Sequence, residues 1–145
     1  MKIELKLDPL EQETRVVIHA PARTPEVEEL LGRLEQADAG LLGFRGDTAV
    51  PLDLERVLRF FGEDKEVRVQ TLDGTYTVRL RLYELEQRLA GRRFARVSHS
   101  EIVNLRQVTA LDLSLTGTIR MTLAGKVTTY VSRRYVKKMK EVLGL

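Results

Sequence analysis

With 145 residues, 43% hydrophobic and 31% charged, the chain is long enough for one compact domain with a small attached unit and too apolar to be disordered. It contains no cysteine, which removes disulfides, thiolate metal sites and cysteine nucleophiles together and fits a reducing cytoplasm; no apolar run approaches the ~18 residues of a membrane-spanning helix. The formal charge of +3 is unevenly held: residues 92–145 carry eleven Lys/Arg against three acids, a net of +8, whereas residues 1–91 net −5, an asymmetry that points to a polyanionic partner for the second part.

In chain order, Lys2, Ile3, Glu4, Leu5, Lys6 and Leu7 alternate with period two and predict a strand over 2–7. The same alternation is not the continuous apolar stretch of a secretory signal, so a cytoplasmic protein is expected. Residues 14–19 predict a hairpin partner, across a polar connection containing Pro9. Thr24-Pro25-Glu26 reads as a helix start, with a hydroxyl at the cap, proline at the first position and an acid in the first turn. Val27, Leu30, Leu31 and Leu34 give that helix one apolar stripe, and it should end near Ala39-Gly40. Residues 1–40 thus form a net acidic β-β-α unit. It is too small for a core of its own and is expected to pack on the remainder or on a second copy, serving as a dimerisation unit.

From residue 41 the texture changes to short strands, predicted at Leu41–Arg45, Thr48–Leu52, Val57–Phe61, Val67–Leu72 and Thr75–Arg79. Asp73-Gly74 supplies the positive-φ pair of a tight hairpin. Leu82, Leu85 and Leu89 mark a short helix, with Glu84 and Arg88 four residues apart and Gly91 as its stop. Further strands are predicted at Phe94–Val97, Val108–Leu115, Thr118–Leu123 and Val127–Val131, with turns at Thr116-Gly117 and Gly125. A C-terminal helix follows, capped by Ser132, with Val136, Met139 and Leu143 as its buried stripe. The expected fold class is α+β: short, mostly antiparallel strands with a C-terminal helix, preceded by the β-β-α unit.

The chain lacks the signals of catalysis. His19 and His99 stand in no metal-ligand spacing, no glycine-rich phosphate loop leads from a strand into a helix, and Gly-x-Ser-x-Gly is absent. No enzymatic activity, catalytic residue, metal or cofactor is therefore expected. Helix-turn-helix spacing is also missing, so any DNA reading must come from loops on a β scaffold.

The cations gather in two stretches. The first holds Arg92, Arg93 and Arg96, then Ser98, His99 and Ser100, with Arg106 beyond. The second holds Ser132, Arg133, Arg134, Lys137 and Lys138. A helix opening at Ser132 points free N–H groups outward beside two guanidinium forks, an arrangement suited to a phosphate or a guanine edge. Cations oppose the dipole at a helix N-terminus, so folding alone would not select Arg133 and Arg134 there. Lys137, Lys138 and Lys140 also complement the C-terminal dipole and keep the outer face wet. Asn104 suits a turn, a cap or a buried structural role as well as a base contact. Ser98 and Ser100 can donate to phosphate or satisfy local backbone, and Tyr135 lies on the apolar side of its helix.

The segment Phe94-Ala95-Arg96-Val97-Ser98-His99-Ser100-Glu101-Ile102-Val103-Asn104-Leu105 resembles the signature of LytTR DNA-binding domains. Val131-Ser132-Arg133-Arg134-Tyr135-Val136-Lys137-Lys138 resembles the start of that family's closing helix, and the hairpin at Asp73-Gly74 and the helix after it fall where the family has its counterparts. The resemblance covers residues 45–145 and implies a β-rich fold that lays loops into successive grooves of double-stranded DNA, as a homodimer on repeated half-sites. It implies His99 and Ser100 on a central recognition loop, a structural Asn104, and a contact position at Arg134 with Arg133 beside it. The first recognition loop would be Gly62–Glu66, where Lys65 stands among Glu63, Asp64 and Glu66, acids that would face phosphates. Ser98 stands where many members carry His. The leading unit resembles the extension of stand-alone regulators, which are often paired with a small membrane protein that restrains them; such an antagonist is a further implied partner.

The expected division is residues 1–40 as the extension and 41–145 as the DNA-binding domain. The expected DNA-binding set is Lys65, Arg96, Ser98, His99, Ser100, Arg106, Ser132, Arg133, Arg134 and Lys137. The leading function is sequence-specific duplex binding by a transcriptional regulator. The alternative is a protein-interaction module whose basic face meets an acidic partner without a direct DNA role. Single-strand binding is a third reading, for which four Phe, four Tyr and no Trp supply few stacking platforms. Lys65, His99 and Arg134 lining one face would favour the first.

Overall fold

The computed structural model describes residues 1–145, apart from the side chains of residues 35–39. Helix α1 (Pro25–Ala39) begins as its sequence dictates: Thr24 Oγ1 accepts from Val27 N at 3.3 Å, Pro25 fills the first turn, and Gly40 ends it in the left-handed conformation at φ 55°. Its stripe of Val27, Leu30, Leu31 and Leu34 is half-buried.

Strands β1 (Leu42–Arg45), β2 (Thr48–Pro51), β3 (Val57–Glu63), β4 (Glu66–Thr71), β5 (Thr75–Val78), β6 (Phe94–Ser98) and β7 (Glu101–Asn104) form a seven-stranded antiparallel sheet in the order β2-β1-β5-β4-β3-β7-β6. Helix α2 (Leu82–Arg88) lies between β5 and β6 in the chain. Strands β8 (Val108–Asp112), β9 (Ile119–Leu123) and β10 (Val127–Val131) form a second antiparallel sheet in the order β10-β9-β8, and helix α3 (Arg133–Leu143) closes the chain. Short 3-10 turns at Leu54–Arg56, Leu105–Gln107 and Ala124–Lys126 lead into β3, β8 and β10.

The Asp73-Gly74 turn joins β4 to β5, and Arg56 holds it with a fork, Nε to Asp73 Oδ2 at 2.8 Å and Nη2 to Oδ1 at 2.7 Å. That hydrogen bonding keeps the Asp73 carboxyl below the usual carboxylate range.

Two cores share the large sheet. One packs Val57, Phe60, Val69, Val78 and Ile102 against Leu85 and Leu89 at α2. The other packs Leu58, Val97 and Val103 against Ile119, Met121, Leu123 and Val131 of the small sheet and Met139 of α3. Val57 and Leu58, adjacent in β3, point to opposite faces and serve opposite cores, and a register shift between Val57 and Arg59 keeps Val57 in the same core as Phe60. Strand β7 is buried on both faces, so Ile102-Val103 reads as a continuous apolar run and not as an alternation.

Polar groups lock β7 at both ends. Glu101 accepts from Arg59 Nη1 of β3 at 3.1 Å and from Thr129 Oγ1 of β10 at 2.6 Å, so one buried carboxylate bridges the two sheets. At the other end, buried Asn104 donates Nδ2 to Leu54 O (3.2 Å) and Val57 O (2.8 Å), while its Oδ1 accepts from Arg106 N (3.0 Å). Asn104 is thus both cap and buried structural residue, with no amide atom left over for a base.

One expected element does not form. Residues 2–7 and 14–19 make no strand, and His19 therefore ends none. A two-stranded hairpin is marginal in water unless another sheet or helix covers its apolar face, and residues 1–17 are exposed along their whole length.

Glu101→Ala should cost about 2–3 kcal/mol, because it strands a partly buried guanidinium and a buried hydroxyl together. Urea unfolding should show the midpoint fall with an unchanged m-value. A loss below about 0.5 kcal/mol, the range of an ordinary surface substitution, would contradict the bridging role.

Candidate nucleic-acid interface

Apart from Arg106, the expected contact residues sit on three separate connections, the β3–β4 turn, the β6–β7 turn and the opening of α3, and backbone hydrogen bonds draw these to one end of the molecule. The β3–β4 turn carries Lys65 at its tip, with Asp64 and Lys65 at φ 53° and 65°, the left-handed pair of a two-residue hairpin turn. Gly62 N at the base of this turn donates to Ser100 O of the β6–β7 turn at 2.8 Å. On the other side Ser132 N, at the opening of α3, donates to Val97 O at the end of β6 at 2.8 Å. Thr118 Oγ1, at the start of β9, donates to Val131 O at 2.7 Å, so the β8–β9 connection also reaches the α3 opening.

The β6–β7 turn is held from outside itself. Arg96 Nε donates to Ser98 O at 2.8 Å, Arg96 Nη2 donates to His99 O, and Nη1 pairs with Glu86 of α2 at 2.9 Å. With Gly62 N on Ser100 O, three successive carbonyls are fixed by Arg96 of β6 and Gly62 of β3, and Glu86 of α2 in turn holds Arg96. Ser98 Oγ accepts from Ser100 N at 3.2 Å and stays half-buried, while the His99 and Ser100 side chains are exposed. Arg96 has its guanidinium committed to this task, with only 12% of its side chain exposed. Its position makes it a holder of the β6–β7 turn.

At α3, Arg133, Arg134 and Lys137 are exposed, while Tyr135, Val136, Met139 and Leu143 face the second core. The expected capping bond of Ser132 is not made: its N–H goes to Val97 O and its C=O accepts from Tyr135 N at 2.8 Å, but the hydroxyl caps nothing. Arg133 lies across Gly117, so close that a Cβ there would sit 3.1 Å from its Nε. Gly117 is also at φ 75°, a conformation that glycine adopts without strain.

Two features depart from the sequence reading. Arg106 is not at this end. It sits on the 3-10 turn beyond Asn104, at the far end of β7 and about 10 Å from the β6–β7 turn at ~3.3 Å per residue. The acids of the first loop are also not left to face phosphates alone. Arg68 of β4 sits 3.7–3.8 Å from carboxylate oxygens of Glu63, Asp64 and Glu66, which offsets their charge and leaves Lys65 exposed at the tip. Neither Arg68 nor the β8–β9 connection was legible as part of the site, because both enter it through cross-strand neighbours and not through any motif.

Among the described residues no group of three or more His, Cys, Asp or Glu could hold a metal, and no helix is long and apolar enough to cross a membrane. A concavity of about 740 Å³ lies between α2 and α3 and is lined by Tyr83, Phe94, Leu105, Met139 and Val142 among others.

A β scaffold that gathers exposed basic and hydroxyl side chains on turns and a helix opening, with no two α-helices adjacent in the chain, defines a nucleic-acid-binding domain that reads with its connections. Residues 47–144 match the LytTr DNA-binding domain family, and the chain belongs to that family. It is 35% identical over its whole length to uncharacterized HTH-type transcriptional regulators of Staphylococcus aureus strains MSSA476 and NCTC 8325, covering 99% of each. The fold matches the LytTr DNA-binding domain of a Bacillus cereus protein described as a methyl-accepting/DNA response regulator, with a TM-score of 0.70 and 23% identity over 73% of this chain and 98% of that one.

The β8–β9 connection is tied down by Asp112. Its carboxyl is held below the usual range chiefly by the Ser114 hydroxyl at 2.6 Å, then by Ser114 N at 2.9 Å, with Arg120 adding attraction. A lowered folded-state pKa means that this tie is intact above the ordinary carboxylate pKa and is lost as pH falls through the folded value. Amide protection over residues 113–118 should therefore stay constant from neutral pH down to the carboxylate range and collapse below it. In Asp112→Asn it should be low throughout. Protection that is equal in wild type and variant at neutral pH would refute the tie.

Proposed function

We propose that this chain is a sequence-specific double-stranded DNA-binding transcriptional regulator that acts in the cytoplasm as a homodimer on repeated half-sites. The observation that carries the reading is the hydrogen-bonded assembly of the β3–β4 turn, the β6–β7 turn and the α3 opening at one end. Lys65, His99, Ser100, Arg133, Arg134 and Lys137 are all exposed there. In this reading Lys65 and Lys137 contact phosphates. The α3 opening offers backbone N–H groups and the positive dipole end to a further phosphate. Arg134, with Arg133 braced across Gly117 beside it, reaches base edges in the major groove, where a guanidinium fork matches guanine O6 and N7. His99 and Ser100 enter the same duplex from the β6–β7 turn. Arg96 and Ser98 act by holding that turn, and Arg106 takes no part.

A duplex selected from a random library should bind far more tightly than its scrambled counterpart, with an affinity that falls steeply as salt rises from 50 to 200 mM, by the ~10³–10⁵ typical of several phosphate contacts. Per half-site bound, Arg134→Ala should cost about 1–3 kcal/mol and relax preference at one base position, whereas Lys65→Ala should weaken all sequences alike and lower the salt slope by about one. Fluorescence anisotropy against salt measures both. Equal affinity for selected and scrambled duplexes would overturn the reading and favour a basic face for an acidic protein partner.

The positioning role of Arg96 has a separate signature. Arg96→Ala should weaken specific binding while leaving the salt slope unchanged, because no phosphate contact is removed. Amide exchange at Ser98–Ser100 should quicken in the free protein. A slope reduced by about one, with unchanged exchange, would make Arg96 a phosphate contact instead.

A further inference from the structure

Residues 1–23 form neither strand nor helix, and Ile3, Leu5 and Leu7 are 84%, 82% and 85% exposed. These are alternate residues, and the residues between them are charged: Lys2, Glu4, Lys6 and Asp8. Lys2 Nζ and Glu4 Oε1 pair at 3.2 Å, so these two charged residues already share one side of the segment. An apolar edge of this kind is a template for strand addition.

We propose that residues 2–8 pair with the same residues of a second copy, as antiparallel strands related by a two-fold axis through Leu5. This deepens the homodimer reading and rests on it. In that register Leu5 faces Leu5 on the axis and Ile3 faces Leu7 on one side, while Glu4 faces Lys6 and Lys2 faces Asp8 on the other, each contact but the axial one occurring twice. Antiparallel partners directly opposite share a face, so only registers that keep apolar opposite apolar are open.

The competing registers are worse. Centring on Glu4 sets Glu4 against Glu4 and Lys2 against Lys6. Centring on Lys6 sets Lys6 against Lys6 and Glu4 against Asp8. Like charges directly opposite are destabilising. Centring on Ile3 leaves only residues 1–5 to pair, and centring on Leu7 brings Pro9, which has no N–H, into the ladder opposite Leu5.

Strand count gives the same answer. One chain supplies two candidate strands, 2–7 and 14–19, and a two-stranded hairpin is marginal in water. Two chains supply four, enough for a sheet, and the half-buried α1 stripe lies close in sequence to cover the shared apolar face.

The chain has no cysteine, so a single introduced thiol reports the register. On mild oxidation of the full-length protein without DNA, Leu5→Cys should form a disulfide dimer, since directly opposed α-carbons fall within the ~4.4–6.8 Å that the bond requires. Leu7→Cys should stay uncrosslinked, its two copies lying about 13 Å apart along the strands. Sedimentation should show Glu4→Lys and Lys6→Glu each weakening self-association about tenfold. Mixing the two variants should restore it, because in the mixed dimer each reversed charge meets the other reversed charge and each native charge meets a native one. Equal cross-linking at both positions, single variants that associate as wild type does, or a wild type that stays monomeric at micromolar concentration would overturn the proposal. Binding of one half-site by these variants should be unaltered. Loss of that binding in wild type would sink the regulator reading without touching the strand result.

Discussion

The carboxylate of Glu101 is the point at which the two sheets become one body. It is buried, it takes a guanidinium from β3 and a hydroxyl from β10, and it sits at the first residue of β7, directly after the turn that carries His99 and Ser100. A charged group in that position costs several kcal/mol of desolvation and is tolerable only with its partners in place. The geometry of the turn and the docking of the small sheet are therefore coupled. The small sheet in turn sets the opening of α3, because β10 runs straight into Ser132. Buried ion pairs are poor general stabilisers, but they are selective about the arrangement they accept. Here the accepted arrangement brings the β6–β7 turn and the helix opening side by side.

Division of labour among neighbours in the sequence follows from this. In the run Arg96 to Asn104, the positions divide into blocks that build and one pair that is presented to solvent. Arg96 folds back on the carbonyls of Ser98 and His99, Val97 fills the second core, and Ser98 braces Ser100. His99 and Ser100 face solvent, while Glu101 to Asn104 are buried. A short motif can therefore be strongly patterned although few of its side chains could ever touch a ligand. The same holds at α3, where Arg133 and Arg134 are exposed while the next two residues belong to the core.

Much of the fold was legible in the sequence. The α1 cap, the Asp73-Gly74 turn, most strands and the α3 stripe were readable because their signals are local: a hydroxyl before a proline, an Asp-Gly pair, period two or 3.6, although of that pair only Gly74, and not Asp73, takes a positive φ. Strand β7 escaped because burial on both faces erases alternation, and the 3-10 turns carry no periodicity of their own. Residues 2–7 and 14–19 show the reverse failure. Their pattern is that of strands, but a pattern specifies only which face would be apolar, and a strand forms only where something covers that face. At the site, Lys65, His99 and the α3 arginines could be picked out by charge and resemblance. Arg68, Gly117 and the displacement of Arg106 could not, since each is settled by cross-strand register and by where β7 ends.

The outside anchoring of the Ser98–Ser100 carbonyls bears on how such a reader can diversify. Nothing in the turn's shape depends on the identity of His99, whose backbone alone is gripped. On the proposed DNA-binding reading, a change of residue there alters what is presented to a groove while leaving the scaffold's folding free energy nearly untouched. Under that reading, preferences for new operators arise by single neutral steps in stability, in contrast to a recognition helix, whose reading residues share a helix with residues that must also pack.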